Sequence, residues 1–304
     1  VGTHTHSFEM STTKYVVVTG ANKGIGLATV KKILKDQPDS FVFLGSRSAS
    51  RGQEAIKSID EKLQSRVTVL ELDVSDKASI AKALKEVKDK IKKEPLYGLI
   101  NNAGISTSDF FEKASEETLK KILGVNYYGV LHTTEAFLPL IDPKIGRIAM
   151  VSSAAGPMFL AKCESKDMKA TLTDSKVTLK DIEGVIATAR KDPSKHPVYL
   201  FSKACLNALT MHYAREYPHI KINAATPGFI ATDMAKNFAK KQGKTAKELG
   251  CKEPAEGAVP PYTLLFGDIK GQGWFYGSDC KRSPLDKYRS PGDPEYVPEE
   301  EKKA

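Results

Sequence analysis

No stretch of the 304-residue chain reaches the apolar length needed to span a bilayer, so no membrane partner is expected. Its four cysteines, Cys163, Cys205, Cys251 and Cys280, form no CxxC pair and no ligand-like spacing. Neither a disulfide framework nor a metal site is therefore expected, and the thiols read as reduced, in a cytoplasmic protein. The net charge of +9 has no basic run interleaved with aromatics, so nucleic acid is not an expected partner. A solvated basic surface is the simpler reading, part of which can steer a phosphate-rich anion towards the protein. Val1 to Met10 lack the basic start, apolar middle and small-residue cleavage site of a signal peptide. Residues 1–9 read as a tag or linker, Met10 as the natural start, and His4 and His6 as incidental. No internal repeat is found.

A hydrophobic fraction of 40% with 27% charged residues fits a globular protein, and the length fits one large α/β unit with insertions. Tyr15-Val-Val-Val-Thr19 is a short β-branched run followed by glycines and reads as a buried strand; a helical pattern follows through Leu27, Val30, Ile33 and Leu34. The alternation recurs, with strands at Phe41–Leu44, Val67–Leu72, Tyr97–Ile100, Ile145–Val151 and Ile220–Ala225. Helices are expected from about Arg51, from Ile80 to Ile91, from Ser115 to Ile141, and after Tyr199. Six strands separated by helices predict a Rossmann-type, doubly wound parallel sheet in a single domain over 10–280. Residues 157–196 are an insertion before Tyr199, and Thr178-Leu-Lys-Asp181 in it resembles a capping box, predicting one or two helices. The segment 281–304, rich in Pro, Gly and charge, is expected to pack as an extended strap or to fray.

Thr19-Gly20-Ala-Asn22-Lys23-Gly24-Ile25-Gly26 directly follows a strand and opens a helix, the context in which a glycine-rich turn binds a dinucleotide. Gly20 permits the tight turn, Gly24 lets the backbone approach a pyrophosphate, and Gly26 lets the helix pack on the sheet. The spacing is GxxxGxG rather than GxGxxG, and in this it resembles the short-chain dehydrogenase/reductase family. After the second strand stands Leu44-Gly45-Ser46-Arg47-Ser48, with no acid to meet a ribose 2′-hydroxyl. A 2′-phosphate would be repelled by an acid and held by a cation, so Arg47, with Lys23 as a second charge, favours NADPH/NADP+. Each alone would equally suit a solvent-facing cation.

The resemblance extends from roughly Lys14 to Trp274. It implies that Asp73, with Val74, meets the adenine, although an aspartate after a strand also suits a turn or helix cap. It further implies that Asn102, Ala103 and Gly104, in the Asn101-Asn-Ala-Gly104 element, serve sheet stability and the cofactor floor, and that the backbone of the Pro227-Gly228 turn, with Thr232, meets the cofactor's carboxamide and pyrophosphate. Tyr199-Leu-Phe-Ser-Lys203 sets two titratable groups four apart on one helix face. An ammonium there favours phenolate and draws the phenol towards a working pKa, so Tyr199 can give its proton to a carbonyl oxygen. Ser153, at the end of the fifth strand, matches the family's catalytic serine, with Ser152 as its structural neighbour or in the exchanged role. Asn126 matches the fourth catalytic member, which supports a water relaying protons to Lys203.

The glycine turn, the long segment between Ser153 and Tyr199, and Pro254-Ala-Glu-Gly-Ala-Val-Pro260 resemble the monomeric NADPH-dependent carbonyl reductases. That subgroup implies a ketone, aldehyde or quinone as a small-molecule carbonyl substrate. Two other functions suit the same fold, a non-catalytic NADPH-sensing regulator and a reductase dedicated to one metabolite. Intact Ser153, Tyr199 and Lys203 weigh against the sensor. The apolar residues Phe159, Leu172, Val177, Leu179, Ile182, Val185 and Ile186 of the insertion must be buried against something. If they cover the two long helices, through which relatives form tetramers, the protein is a monomer.

Overall fold

Valine-rich Lys14–Val18 (β1) alternates its side chains between two apolar cores, Val17 in one and Val16 and Val18 in the other, and all three are fully buried. Such two-sided burial is what a near-continuous apolar run needs, and it places the strand inside a parallel sheet covered on both faces. The computed structural model describes residues 13–107, 109–113, 115–299 and 301–303. Residues 1–9, with His4 and His6, and Met10 lie outside the described residues.

β1 pairs in parallel with Ser40–Ser46 (β2) on one side and Leu96–Asn101 (β4) on the other. Val67–Glu71 (β3) extends the sheet beyond β2, and Arg147–Val151 (β5) and Lys221–Ala225 (β6) extend it beyond β4. Two further strands of two residues each, Phe275–Tyr276 (β7) and Arg282–Ser283 (β8), complete the order β3-β2-β1-β4-β5-β6-β7-β8. Only the β7/β8 pair is antiparallel among these neighbours. The sheet is thus the doubly wound Rossmann type, two strands wider than the six read from the sequence.

Helices Gly24–Asp36 (α1) and Ala49–Lys57 (α2) cover one face, and a short turn, Glu61–Gln64 (α3), precedes β3. Lys77–Ile91 (α4) covers the other face. The expected helix from Ser115 begins with a Ser115 cap and runs as Glu116–Leu123 (α5) and Val130–Phe137 (α6), but Gly124–Gly129 between them is a π-helical turn. Pro139 stands in the 3-10 turn Leu138–Leu140 that closes it.

Beyond β5 come Ala155–Ala161 (α7), Lys166–Thr173 (α8), Leu179–Lys191 (α9) and the long Val198–Glu216 (α10). The capping box is present at the start of α9: Thr178 accepts from the Asp181 backbone N–H, and the Asp181 carboxylate accepts from the Thr178 N–H. Leu172, Val177, Ile182 and Ile186 are all buried in the core that also holds Phe201, Cys205 and Leu209 of α10. The insertion is clamped as well by Tyr128 donating to Glu183 at 2.8 Å and by Arg215 donating to the Val177 carbonyl at 2.9 Å. After β6, Asp233–Lys241 (α11), Pro254–Gly257 (α12) and Val259–Phe266 (α13) lead to the sheet edge.

The described residues from Lys281 onward form a strap. Its strand β8 lies past residue 280, Arg289 pairs with Asp279, and the Arg282 guanidinium sits 3.5 Å from the Trp274 ring centre while bonding Glu301.

Candidate functional site

The chain crosses from one half of the sheet to the other between β1 and β4, and at such a switch the loops leaving the strands' carboxyl ends diverge. A cleft of about 1080 Å³ opens there. Gly20, Asn22, Lys23, Gly24, Ile25 and Gly26 form its floor. Gly20 has φ +61°, and a Cβ on it would stand 2.9 Å from the Ala103 Cα; a Cβ on Gly26 would meet the Gly20 carbonyl at 2.6 Å. Both positions therefore require glycine for the turn to sit against β1 and β4. No side chain caps α1, so its first N–H groups are left to whatever occupies the cleft.

Thr19 and Asn102 fix this turn. The Thr19 hydroxyl accepts from the backbone N–H groups of Asn102 and Ala103, each at 2.9 Å, and the Asn102 amide donates to the carbonyls of Thr19 and Gly20. Thr19 was not picked out in the sequence, yet a hydroxyl ending a buried valine strand was a usable signal. Asn102, Ala103 and Gly104 line the cleft.

Arg47 lines the cleft, is exposed, and has no ion-pair partner among the described residues. Lys23 also lines it but pairs with Asp233 at the start of α11, and that ammonium holds the Asp233 carboxyl below its usual range. Asp73 and Val74 form the wall beyond β3. Asp73 Oδ1 accepts from both the backbone and the hydroxyl of Ser75, so the turn role weighed in the sequence is realised on one oxygen. Pro227 and Thr232 border the far end, whereas Gly228, at φ +91°, packs behind against Ser278.

Tyr199 and Lys203 occupy successive turns of α10, and both are buried at the cleft. Lys203 Nζ donates to the Val151 carbonyl at 2.9 Å, and burial pulls its pKa down to about 8. Burial also pushes the Tyr199 phenol up, and the facing Ser153 hydroxyl offsets part of this. This departs from the expectation that Lys203 lowers the phenol: desolvation is the dominant influence, and the ammonium is engaged on Val151. Ser152, which lines the cleft, donates to Asn207 at 2.6 Å, while the Ser153 hydroxyl faces Tyr199.

Asn126 lies in the π turn, fully buried, one layer behind the cleft. Its amide donates to the Ile105 carbonyl and to Ser202, and its oxygen accepts from the Ile105 N–H. Ser202 donates to the Tyr199 carbonyl at 2.7 Å. Both amide hydrogens are thus engaged within the protein, and through Ser202 the side chain is linked to the first turn of α10. A π turn supplies the local shift that aims such a residue out of helical register, a use common at functional sites.

No group of three or more potential ligands able to hold a metal occurs among the described residues, and no described helix is long and apolar enough to cross a membrane.

A family model described as short chain dehydrogenase matches residues 14–165. The (+)-neomenthol dehydrogenase of Arabidopsis thaliana is 32% identical over 285 residues, covering 83% of this chain and 93% of that protein. The solved structure of salutaridine reductase from Papaver somniferum superposes with a TM-score of 0.72 at 28% identity, over 86% of this chain and 99% of that one. An NADPH-bound carbonyl reductase from chicken fatty liver superposes with a TM-score of 0.65 at 25% identity, over 90% of this chain and 99% of that one.

Proposed function

The chain belongs to the short-chain dehydrogenase/reductase family, and on that premise we propose that it is an NADPH-dependent reductase that converts a ketone, aldehyde or quinone carbonyl to the alcohol, with Tyr199 as proton donor. The observation that carries this reading is the burial of Tyr199 and Lys203 together at the cleft that the glycine turn opens, with the Ser153 hydroxyl facing Tyr199.

The residues present fit a dinucleotide. The uncapped start of α1 and the close-packed glycine turn suit a pyrophosphate, and the unpaired Arg47 suits a 2′-phosphate. A reduced nicotinamide would supply hydride to the carbonyl carbon. The protein's own groups do the rest. Ser153 holds the carbonyl oxygen by a hydrogen bond. Tyr199, kept protonated by its burial, gives its proton to that oxygen as negative charge develops there. Lys203, buried on the same helix face with a lowered pKa, is the group that can return a proton to Tyr199. Asn126 and Ser202 fix the height of the first turn of α10. The structure of a relative with NADPH bound supports the cofactor assignment by analogy, and the four free cysteines support a cytoplasmic location.

Steady NADPH oxidation with a panel of small carbonyls tests the activity. Tyr199→Phe is expected to abolish turnover and to leave NADPH affinity within a few-fold of the parent, because the phenol supplies the proton and little cofactor contact. Near-normal turnover in this variant would remove Tyr199 as the donor.

A further inference from the structure

Arg289 is a cation enclosed by the strap, and no residue of the strap lines the cleft. Its side chain is only 6% exposed. The guanidinium donates to the Asp279 carboxylate, to the Ser283 hydroxyl at 2.9 Å, and to the carbonyls of Ser290 and Asp293 at 3.2 and 2.8 Å. Asp279 in turn accepts from the backbone N–H groups of Gly292 at 3.0 Å and Lys281 at 3.3 Å. Enclosing two charges costs desolvation that their attraction only offsets, so such a pair is weak evidence for stability and asks for another role.

The pair grips the turn between β7 and β8. A Cβ on Gly277 would stand 2.5 Å from the guanidinium, and the Gly277 N–H donates to the Lys281 carbonyl at 2.8 Å. Cys280 in this turn has φ +59°, a left-handed conformation that its Cβ disfavours and that persists only where the surroundings impose it. Ser278 stands between the two gripped residues, and it abuts the turn after β6: a Cβ on Gly228 would lie 3.1 Å from the Ser278 Cβ. The Tyr276 carbonyl accepts from the Thr226 N–H at 3.0 Å, and the Thr226 hydroxyl accepts from the Gly228 N–H at 3.2 Å. Pro227, between Thr226 and Gly228, lines the cleft. It does so at the reacting end, because the Ser152 N–H donates to the Ala225 carbonyl at 2.8 Å and the adjoining Val151 carbonyl takes Lys203 Nζ. Arg47, after β2, marks the other end.

We propose that Arg289, acting through Asp279 and Ser278, is a positioning residue for the Thr226–Gly228 turn and so for the nicotinamide half of the cofactor. The inference rests on the reductase reading above for the identity of that ligand. Close packing between Ser278 and Gly228 leaves no slack to absorb a shift of the β7/β8 turn, so the shift passes to Pro227.

Two ligands separate positioning from folding. NADPH reaches both ends of the cleft, whereas adenosine 2′,5′-bisphosphate carries only the end that Arg47 would meet. In calorimetry on the full chain, below the melting range of every variant, Arg289→Ala is expected to weaken NADPH about 10-fold and to change the bisphosphate less than about 3-fold. Arg289→Lys, which keeps a cation beside Asp279, is expected to recover part of the loss. Ser278→Val leaves the ion pair intact and crowds Gly228, so it should show the same selective loss at a near-parental Tm, and it serves where Arg289→Ala fails to fold. Equal losses for the two ligands, or unchanged NADPH affinity in either variant that folds, would overturn the proposal. The selective loss in the variants, together with a parent that oxidises NADPH with no carbonyl, would refute the reductase reading and leave the positioning role in place.

Discussion

Lys203 is held as a desolvated cation, and its protonation is where folding and chemistry meet. Its pKa in the fold is about 8, below the roughly 10.4 of a free lysine. Between these values the unfolded chain binds more protons than the folded one, so stability rises with pH there, and below about 8 the fold carries the full cost of the buried ammonium. Lys203→Met removes that cost. Its Tm relative to the parent is therefore expected to be most favourable at pH 7 and to lose that advantage as the pH approaches 10; a constant difference in thermal melts would show that Lys203 is not desolvated. At Arg47 the expectation concerns the cofactor. Arg47→Asp removes a charge-assisted pair of about 1.5–3 kcal/mol and adds repulsion, shifting the NADPH/NADH preference by about 10- to 100-fold. An unchanged ratio of kcat/KM values would place the 2′-phosphate elsewhere. The residues with motif spacing, from Gly20 to Gly26 and from Tyr199 to Lys203, were legible because their chemistry dictates their separation along one turn or one helix. The contact of Phe110 with Tyr199 was not, since no local spacing links residues that only the fold brings together. Neither was the direction of the Tyr199 shift, which depends on burial that the sequence does not state.

Among the elements, the π turn at Gly124–Gly129 carries the most consequence. Apolar periodicity reads Ser115 to Ile141 as one helix, and a single inserted residue moves that pattern by too little to show. The end of the sheet was hidden for a related reason, because β7 and β8 have two residues each and cannot display an alternation. The capping box at Thr178 was legible, being a fixed four-residue signature whose polar groups leave little choice. Asn126→Ala would leave both the N–H and the carbonyl of Ile105 without their partner and free Ser202. The expected cost is about 1–3 kcal/mol of stability in denaturant melts, with a lower kcat and a nearly unchanged NADPH affinity. A variant of parental stability and kcat would show that the π turn does not position Tyr199.

At the scale of the molecule, the insertion decides what surface remains for assembly. Its helices α8 and α9 bury Leu172, Val177, Ile182 and Ile186 against α10, and Arg190 reaches Glu116 at the start of α5. The flank that two long helices would offer a neighbour is thereby covered from within, so we expect a monomer. Light scattering at micromolar concentration checks this, and a mass near four chains would show that assembly uses another face. Hydride transfer from NADPH to a carbonyl carbon at the Tyr199 cluster can be followed by incubating the protein with a ketone and NADPH carrying deuterium at C4, in each of its two stereochemical forms, and locating the label in the product. One deuterium is expected on the carbinol carbon from one of the two forms, and none from either with Tyr199→Phe; an unlabelled product from both forms with the parent protein, or a labelled one from the variant at the parental rate, would rule out this transfer.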